Sequence, residues 1–140
     1  MLASSECIVS TRRDRSRADS RLQVGNCLAA ADILAKDGIS AEVINLRSLR
    51  PLDTETITRS VRKTHRLVSV EEGWPQCGVG AELAAMAMER FFDDLDAPVE
   101  RVTGADVPTP YAADMEANAF PQVDDIVAVA RRSVGRKAYA

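Results

Sequence analysis

The sequence lacks the features that mark two large classes of protein. Its 18 lysines and arginines do not outnumber its 21 aspartates and glutamates, so the net charge of −3 carries none of the basic excess typical of nucleic-acid-binding domains. No apolar run approaches the roughly 18 residues that a membrane-spanning helix needs. We therefore expect neither nucleic acid nor a membrane among its partners.

Paired cysteines and a histidine cluster are also missing. Cys7, Cys27 and Cys77 are odd in number and widely spaced, which fits neither a disulfide framework nor a zinc site. His65 is the only histidine, and no Gly-x-Ser-x-Gly motif supplies a nucleophile beside it. We therefore predict no catalytic residue and no metal site in this chain, and interpret His65 as a residue suited to the end of a helix.

The 140 residues are enough for one domain with its own apolar core, but their charge is uneven. The segment 11–22 has five arginines against two aspartates and almost no apolar side chains, so it cannot bury enough surface to order itself. It is interpreted as a solvated loop or insertion, a transit peptide or a phosphate-binding arm. We expect a short strand and this loop in residues 1–23, one domain over 24–135, and a tail over 136–140.

Helical and strand patterns alternate along the chain. Apolar residues recur at helical spacing in segments 24–36, 53–63, 81–95, 111–117 and from 121 onward, while strand patterns occupy 7–9, 41–47, 66–70 and 99–103. Parallel strands need crossover connections, which are usually helices, and those helices cover both faces of the sheet. The sequence therefore predicts an α/β domain of three layers with a mostly parallel sheet.

Ligands of such sheets gather outside the carboxyl ends of the strands. After one predicted strand, Gly78-Val79-Gly80 opens a helix, where backbone N–H groups could hold a phosphate. The third glycine and the lysine of the known phosphate motifs are missing, so close packing of helix on sheet is the preferred interpretation. A small nucleotide- or phosphate-binding module remains the alternative function.

The same strand end carries adjacent carboxylates and the single tryptophan. Glu71 and Glu72 point to opposite faces of an extended strand, so they cannot act jointly on one bound group. They are interpreted as a solvated strand end or as part of an interface or active-site rim. Trp74 beside Pro75 is typical of a packed anchor, either in the core or between subunits.

Three further carboxylates, Asp93, Asp94 and Asp96, cluster at the end of a predicted helix. The negative end of the helix dipole disfavours carboxylates there by about 0.3–1 kcal/mol each. Such a cluster is either a solvated acidic turn or a surface that attracts a basic partner.

Four segments carry a resemblance to a known family. They are VGNCLAAADILAKDGISAEVINLRSLRPLDTETI, LVSVEEGWPQCGVGAE, DAPVERVTGADVPTPYA and FPQVDDIVAVA. In this order, across about three quarters of the chain, they closely resemble the C-terminal domain of pyruvate dehydrogenase beta subunits, within the transketolase C-terminal-domain family. The resemblance implies a five-stranded sheet with one antiparallel edge strand. The region that would supply that strand is missing here, so we expect the strand at 41–47 to lie at an open edge.

The resemblance also implies a function in a large complex. There, thiamine diphosphate in the assembled enzyme serves the decarboxylation of pyruvate, in the mitochondrial matrix or the bacterial cytoplasm. The sequence lacks a Gly-Asp-Gly and an Asn-Asn pair, so we expect no cofactor in this chain alone. Its implied partners are the alpha subunit, a second beta subunit and the small basic binding domain of dihydrolipoamide acetyltransferase. We expect subunit contacts at Glu72, Trp74, Pro75 and Gly78, and the resemblance assigns docking to Asp96.

Overall fold

Strands and helices alternate through the computed structural model, which describes residues 4–11 and 22–135. The strands are β1 (Ser4–Thr11), β2 (Ile39–Leu46), β3 (Leu67–Val70) and β4 (Glu100–Val102). The helices are α1 (Leu22–Lys36), α2 (Thr54–Thr64), α3 (Val79–Arg90), α4 (Ala113–Ala119) and α5 (Val123–Gly135), with a 3₁₀ turn over Phe92–Asp94. The predicted α/β class is confirmed. The arginine-rich stretch after residue 11 and the predicted tail lie outside the described residues.

The four strands form one parallel sheet in the order β2-β1-β3-β4. β1 pairs with β2 along all eight of its residues and with β3 along four, so it lies inside the sheet. It is longer than the three-residue strand that the sequence predicts. β2 forms one edge of the sheet described here, as expected for the segment 41–47.

Two apolar clusters fill the space on the two faces of the sheet, which confirms the three-layer arrangement. One cluster joins α1 and α5 to β3 and β4 through Cys27, Ala30, Leu34, Val68, Val70, Val102, Ile126, Val127 and Ala130. The other joins α2 and α3 to β2 and β3 through Leu46, Ile57, Val61, Leu67, Leu83, Met86, Ala87 and Phe91. Because side chains alternate along a strand, Leu67 and Val68 enter different clusters. None of the helices between residues 22 and 135 is long and apolar enough to cross a bilayer.

Helix ends follow local chemistry. The Asp53 carboxylate accepts the Thr56 N–H at 3.0 Å and begins α2, as predicted. After α1, Gly38 has φ 79°, the left-handed conformation that glycine adopts at little cost. α3 is shorter than the segment 81–95 that the sequence predicts, because Phe91 leaves the helix with φ −149° while its ring stays buried. A longer α3 would have placed the carboxylates of residues 93 and 94 at the negative end of the helix dipole, which disfavours them.

The cap of α2 gives a pH-dependent prediction. The hydrogen bond from the Thr56 backbone holds the pKa of Asp53 below its ordinary value of 3.8. A lowered carboxyl pKa adds stability that is present above the unfolded pKa and lost as the pH falls through the folded one. We expect Asp53→Ala to lower the urea midpoint at neutral pH, and the gap to wild type to close as the pH falls below about 4. Asp53→Asn, which keeps an acceptor oxygen, should stay near wild type at neutral pH; a pH-independent gap for Asp53→Ala would contradict the assignment.

Candidate functional site

A buried carboxylate organises the carboxyl end of the sheet. Glu71, one residue beyond β3, is 3% exposed, and its Oε1 accepts the backbone N–H of Gly80 at 3.1 Å and Nη2 of Arg101 at 3.0 Å. The same Nη2 donates to the carbonyl oxygen of Pro75 at 2.7 Å. One ion pair thus ties β3 and β4 to the first turn of α3 and to the loop before it.

Gly78 and Gly80 leave the room that this carboxylate occupies. A Cβ on Gly78 would lie 2.5 Å from Oε2 of Glu71, and a Cβ on Gly80 would lie 2.6 Å from Oε1. The two glycines therefore serve close packing, which was the preferred interpretation of the Gly-x-Gly pattern. The anion at the start of α3 is a side chain of the protein itself. This geometry argues against the phosphate-binding alternative, since the Gly80 N–H is already used.

Glu71 and Glu72 have different environments, as the strand geometry predicts. Glu71 is buried in the ion pair, so its interpretation as a solvated strand end is wrong. Glu72 is partly buried and is not without a partner. Sequence reasoning missed Arg101. The available signal was a guanidinium in a short strand with both faces covered, which requires an anion nearby.

Trp74 lies on the loop between β3 and α3, and 52% of its surface is exposed. Its indole Nε1 donates to the carbonyl oxygen of Val107 at 3.0 Å, which joins this loop to the one after β4. A second bond, from the Gly104 N–H to the Gly73 carbonyl oxygen at 2.9 Å, joins the same two loops. Of the two predicted locations for Trp74, the core is therefore wrong, and a large apolar surface faces outward.

The loop brings the other predicted interface residues into one place. Glu72, Trp74, Pro75 and Gly78 all belong to the segment 72–78. The hydrogen bond between Glu71 and the Gly80 N–H spans its two ends, and Arg101 holds the Pro75 carbonyl oxygen in its middle. Exposed apolar side chains follow β4 as well, at Val107, Tyr111 and Met115. Large exposed apolar side chains rimmed by polar residues mark contact surfaces, and the interface role of the loop stays a prediction.

The acidic turn consists of Asp93, Asp94 and Asp96, and His65 fixes its position. His65 ends α2 with φ 59°; its Nδ1–H donates to the Asp94 carbonyl oxygen at 2.8 Å, and its own carbonyl oxygen accepts the Asp96 N–H at 2.8 Å. The Asp94 carboxylate pairs with Nε of Arg62 at 3.0 Å. Asp93 and Asp96 are exposed and make no ion pair within residues 22–135.

Neither the loop 72–78 nor the acidic turn gathers a set of metal ligands among the described residues. Among the described residues, no group of three or more His, Cys, Asp or Glu side chains could hold a metal ion. The glycines at the start of α3, the candidate phosphate site, pack against Glu71 instead. The candidate site thus consists of two surfaces, the loop 72–78 and the acidic turn.

The packing around Glu71 can be tested with matched glycine variants. Gly80→Ala places a Cβ against Glu71 and Ser69, and we expect it to lower the free energy of unfolding by about 1–3 kcal/mol. Gly25→Ala, with nothing within 4 Å inside α1, should raise it by about 0.5–1 kcal/mol. Urea unfolding measures both, and equal stability of Gly80→Ala and wild type would show that the carboxylate does not fill this space.

Comparisons with known proteins place the chain beside one family. A family model described as the transketolase C-terminal domain matches residues 22–126. The mitochondrial pyruvate dehydrogenase E1 component subunit beta-2 of Oryza sativa subsp. japonica is 64% identical over 113 residues, which are 81% of this chain and 30% of that protein. The mitochondrial beta subunit of Dictyostelium discoideum is 59% identical over 81% of this chain and 32% of its own length. The human one is 56% identical over 79% of this chain and 31% of its own length.

A solved structure gives the same picture of the fold. A split-gene transketolase described as an inactive beta4 tetramer aligns with a TM-score of 0.75 at 25% identity, covering 97% of this chain and 40% of that one. The chain spans less than a third of the length of the pyruvate dehydrogenase relatives given above.

Proposed function

Because the chain belongs to the transketolase C-terminal-domain family, we propose that it is the C-terminal assembly and docking domain of a pyruvate dehydrogenase beta subunit. The observation that carries this proposal is an identity of 56–64% along about four fifths of the chain to proteins named as that subunit. Since those relatives are named mitochondrial, the proposed location is the mitochondrial matrix. The domain serves the oxidative decarboxylation of pyruvate to acetyl-CoA without catalysing a step alone.

The cofactor of the assembled enzyme, on this proposal, is thiamine diphosphate. It supplies the carbanion chemistry of decarboxylation when bound. The first turn of α3, the candidate phosphate site of this chain, binds Glu71, and no group of three or more His, Cys, Asp or Glu among the described residues could hold a metal ion. We therefore assign cofactor contacts to other parts of the enzyme and only assembly to this chain.

The loop 72–78 is the proposed contact with the alpha subunit and a second beta subunit. It presents Trp74 outward, while Arg101 of the Glu71–Arg101 pair holds the Pro75 carbonyl oxygen and the Val107 carbonyl oxygen holds the indole N–H of Trp74. A loop already fixed in shape loses little conformational freedom on binding, so more of the contact energy appears as affinity. Tryptophan is among the residues that most often dominate interface energies.

The contribution of Trp74 can be measured by self-association of the full chain. We expect sedimentation velocity to show a dimer, and Trp74→Ser to raise its dissociation constant at least about tenfold. Trp74→Phe keeps the apolar surface without the indole hydrogen bond and should keep most of the association. Leu28→Ser removes a similarly exposed side chain from α1 and serves as the control. A monomeric wild type, or a dimer indifferent to Trp74→Ser, would contradict this interface.

Asp96 is the proposed docking residue for the small basic binding domain of dihydrolipoamide acetyltransferase. Its carboxylate is exposed, while its backbone N–H is fixed by His65 and the preceding Asp94 is paired with Arg62. The negative charge of Asp96 is therefore presented from a backbone whose position is fixed by His65. Complementary charge raises the rate of encounter and selects the partner, and its effect falls with salt.

Docking can be tested by titrating the binding domain into the full chain in a calorimeter. We expect Asp96→Ala to weaken binding about tenfold at low salt, and wild-type binding to weaken as salt rises. Asp32→Ala removes another exposed carboxylate, from α1 on the opposite face of the sheet, and should change little. Absent or salt-insensitive binding of the wild type would count against the electrostatic docking.

A further inference from the structure

A basic groove lies directly beside the acidic turn. It has a volume of about 440 Å³ and is lined by Thr54, Glu55, Thr58, Arg59, Arg62 and Arg90. Five of these residues belong to α2 and the sixth is the last residue of α3. Three guanidinium groups therefore face one carboxylate in this space, so the groove carries positive charge.

Arg62 joins the groove to the acidic turn. It lines the groove, and its Nε also pairs with the Asp94 carboxylate at 3.0 Å. The turn is held against the end of α2 by two hydrogen bonds of His65, one from its imidazole Nδ1 to the Asp94 carbonyl oxygen and one from the Asp96 N–H to its own carbonyl oxygen. The negative and positive regions thus share a wall, and their relative position is set by α2.

Arg59 and Arg90 line the groove without an ion pair within residues 22–135. Nη2 of Arg59 donates to the Thr56 hydroxyl oxygen at 3.4 Å, and its charge also acts on the exposed Asp53 carboxylate. Both arginine side chains are exposed. Phe92, which is 58% exposed, lies along the chain between Arg90 and the acidic turn.

We infer that the partner docked at Asp96 is bound at two poles, with a basic group against the acidic turn and a carboxylate of its own in the arginine groove. This inference rests on the proposed docking function and adds the second contact. A partner carrying only positive charge over this footprint would meet the guanidinium groups of Arg59 and Arg90 next to the turn that attracts it, and like charges across an interface are unfavourable.

Reversing the charge of the arginines in the groove tests the inference, because it predicts that the affinity for the partner falls. In the calorimetric titration of the basic binding domain into the full chain, we expect the double variant Arg59→Glu/Arg90→Glu to weaken binding at least about tenfold. The neutral variant Arg59→Gln/Arg90→Gln should fall between it and wild type. Lys36→Glu reverses an exposed charge at the end of α1, on the opposite face of the sheet, and should stay within about twofold of wild type. Circular dichroism establishes that each variant is folded.

The outcomes separate the two proposals. If Asp96→Ala weakens binding while the arginine-to-glutamate variant binds equally or more tightly, the docking function stands and the second pole is refuted. Recovery of affinity for that variant when an acidic residue of the binding domain is changed to lysine supports the inference directly. If the wild-type chain does not bind the domain at all, the docking function fails, and the two-pole footprint fails with it.

Discussion

The ion pair between Glu71 and Arg101 is the constraint on which the carboxyl end of this sheet depends. A carboxylate that is 3% exposed is tolerated in a protein interior only when it is paired and hydrogen-bonded. Here the guanidinium supplies the charge, and the Gly80 N–H supplies a further donor. Arg101 also donates to the Pro75 carbonyl oxygen, so the Glu71–Arg101 ion pair helps to set the shape of the loop that presents Trp74.

The acidic turn is fixed by exposed contacts, whereas the Glu71–Arg101 pair is buried. The two sets of contacts therefore differ in how much they contribute to stability. Arg62 and Asp94 are 63% and 33% exposed at their side chains, so their ion pair adds little to stability. The ion pair instead helps to position the acidic turn. His65, in the left-handed conformation, does the same by joining the end of α2 to the turn. The sheet end is therefore held by a buried interaction, while the acidic turn is aligned by exposed ones.

Much of the fold could be predicted because helices and strands differ in the spacing of their apolar residues. The cap at Asp53 and the buried positions of α2 are local, and the sequence predicts them correctly. The pairing of Glu71 with Arg101 is not local, because the two residues are 30 apart and only the neighbouring positions of β3 and β4 bring them together. β3 itself is buried on both faces, so its sequence has no polar alternation to show on which side Glu71 would lie.

A Gly-x-Gly pattern at the start of a helix indicates that something approaches the backbone closely, but it does not indicate what. In a nucleotide-binding loop the approaching group is a phosphate, which the helix N-terminus favours. In this protein the residue directly after the preceding strand is Glu71, whose carboxylate reaches the same N–H group and has the same sign of charge. The residue at the end of the strand thus separates the two interpretations of the glycines. An acidic residue there, with a cation on the neighbouring strand, favours an internal ion pair and a helix start with no role in ligand binding.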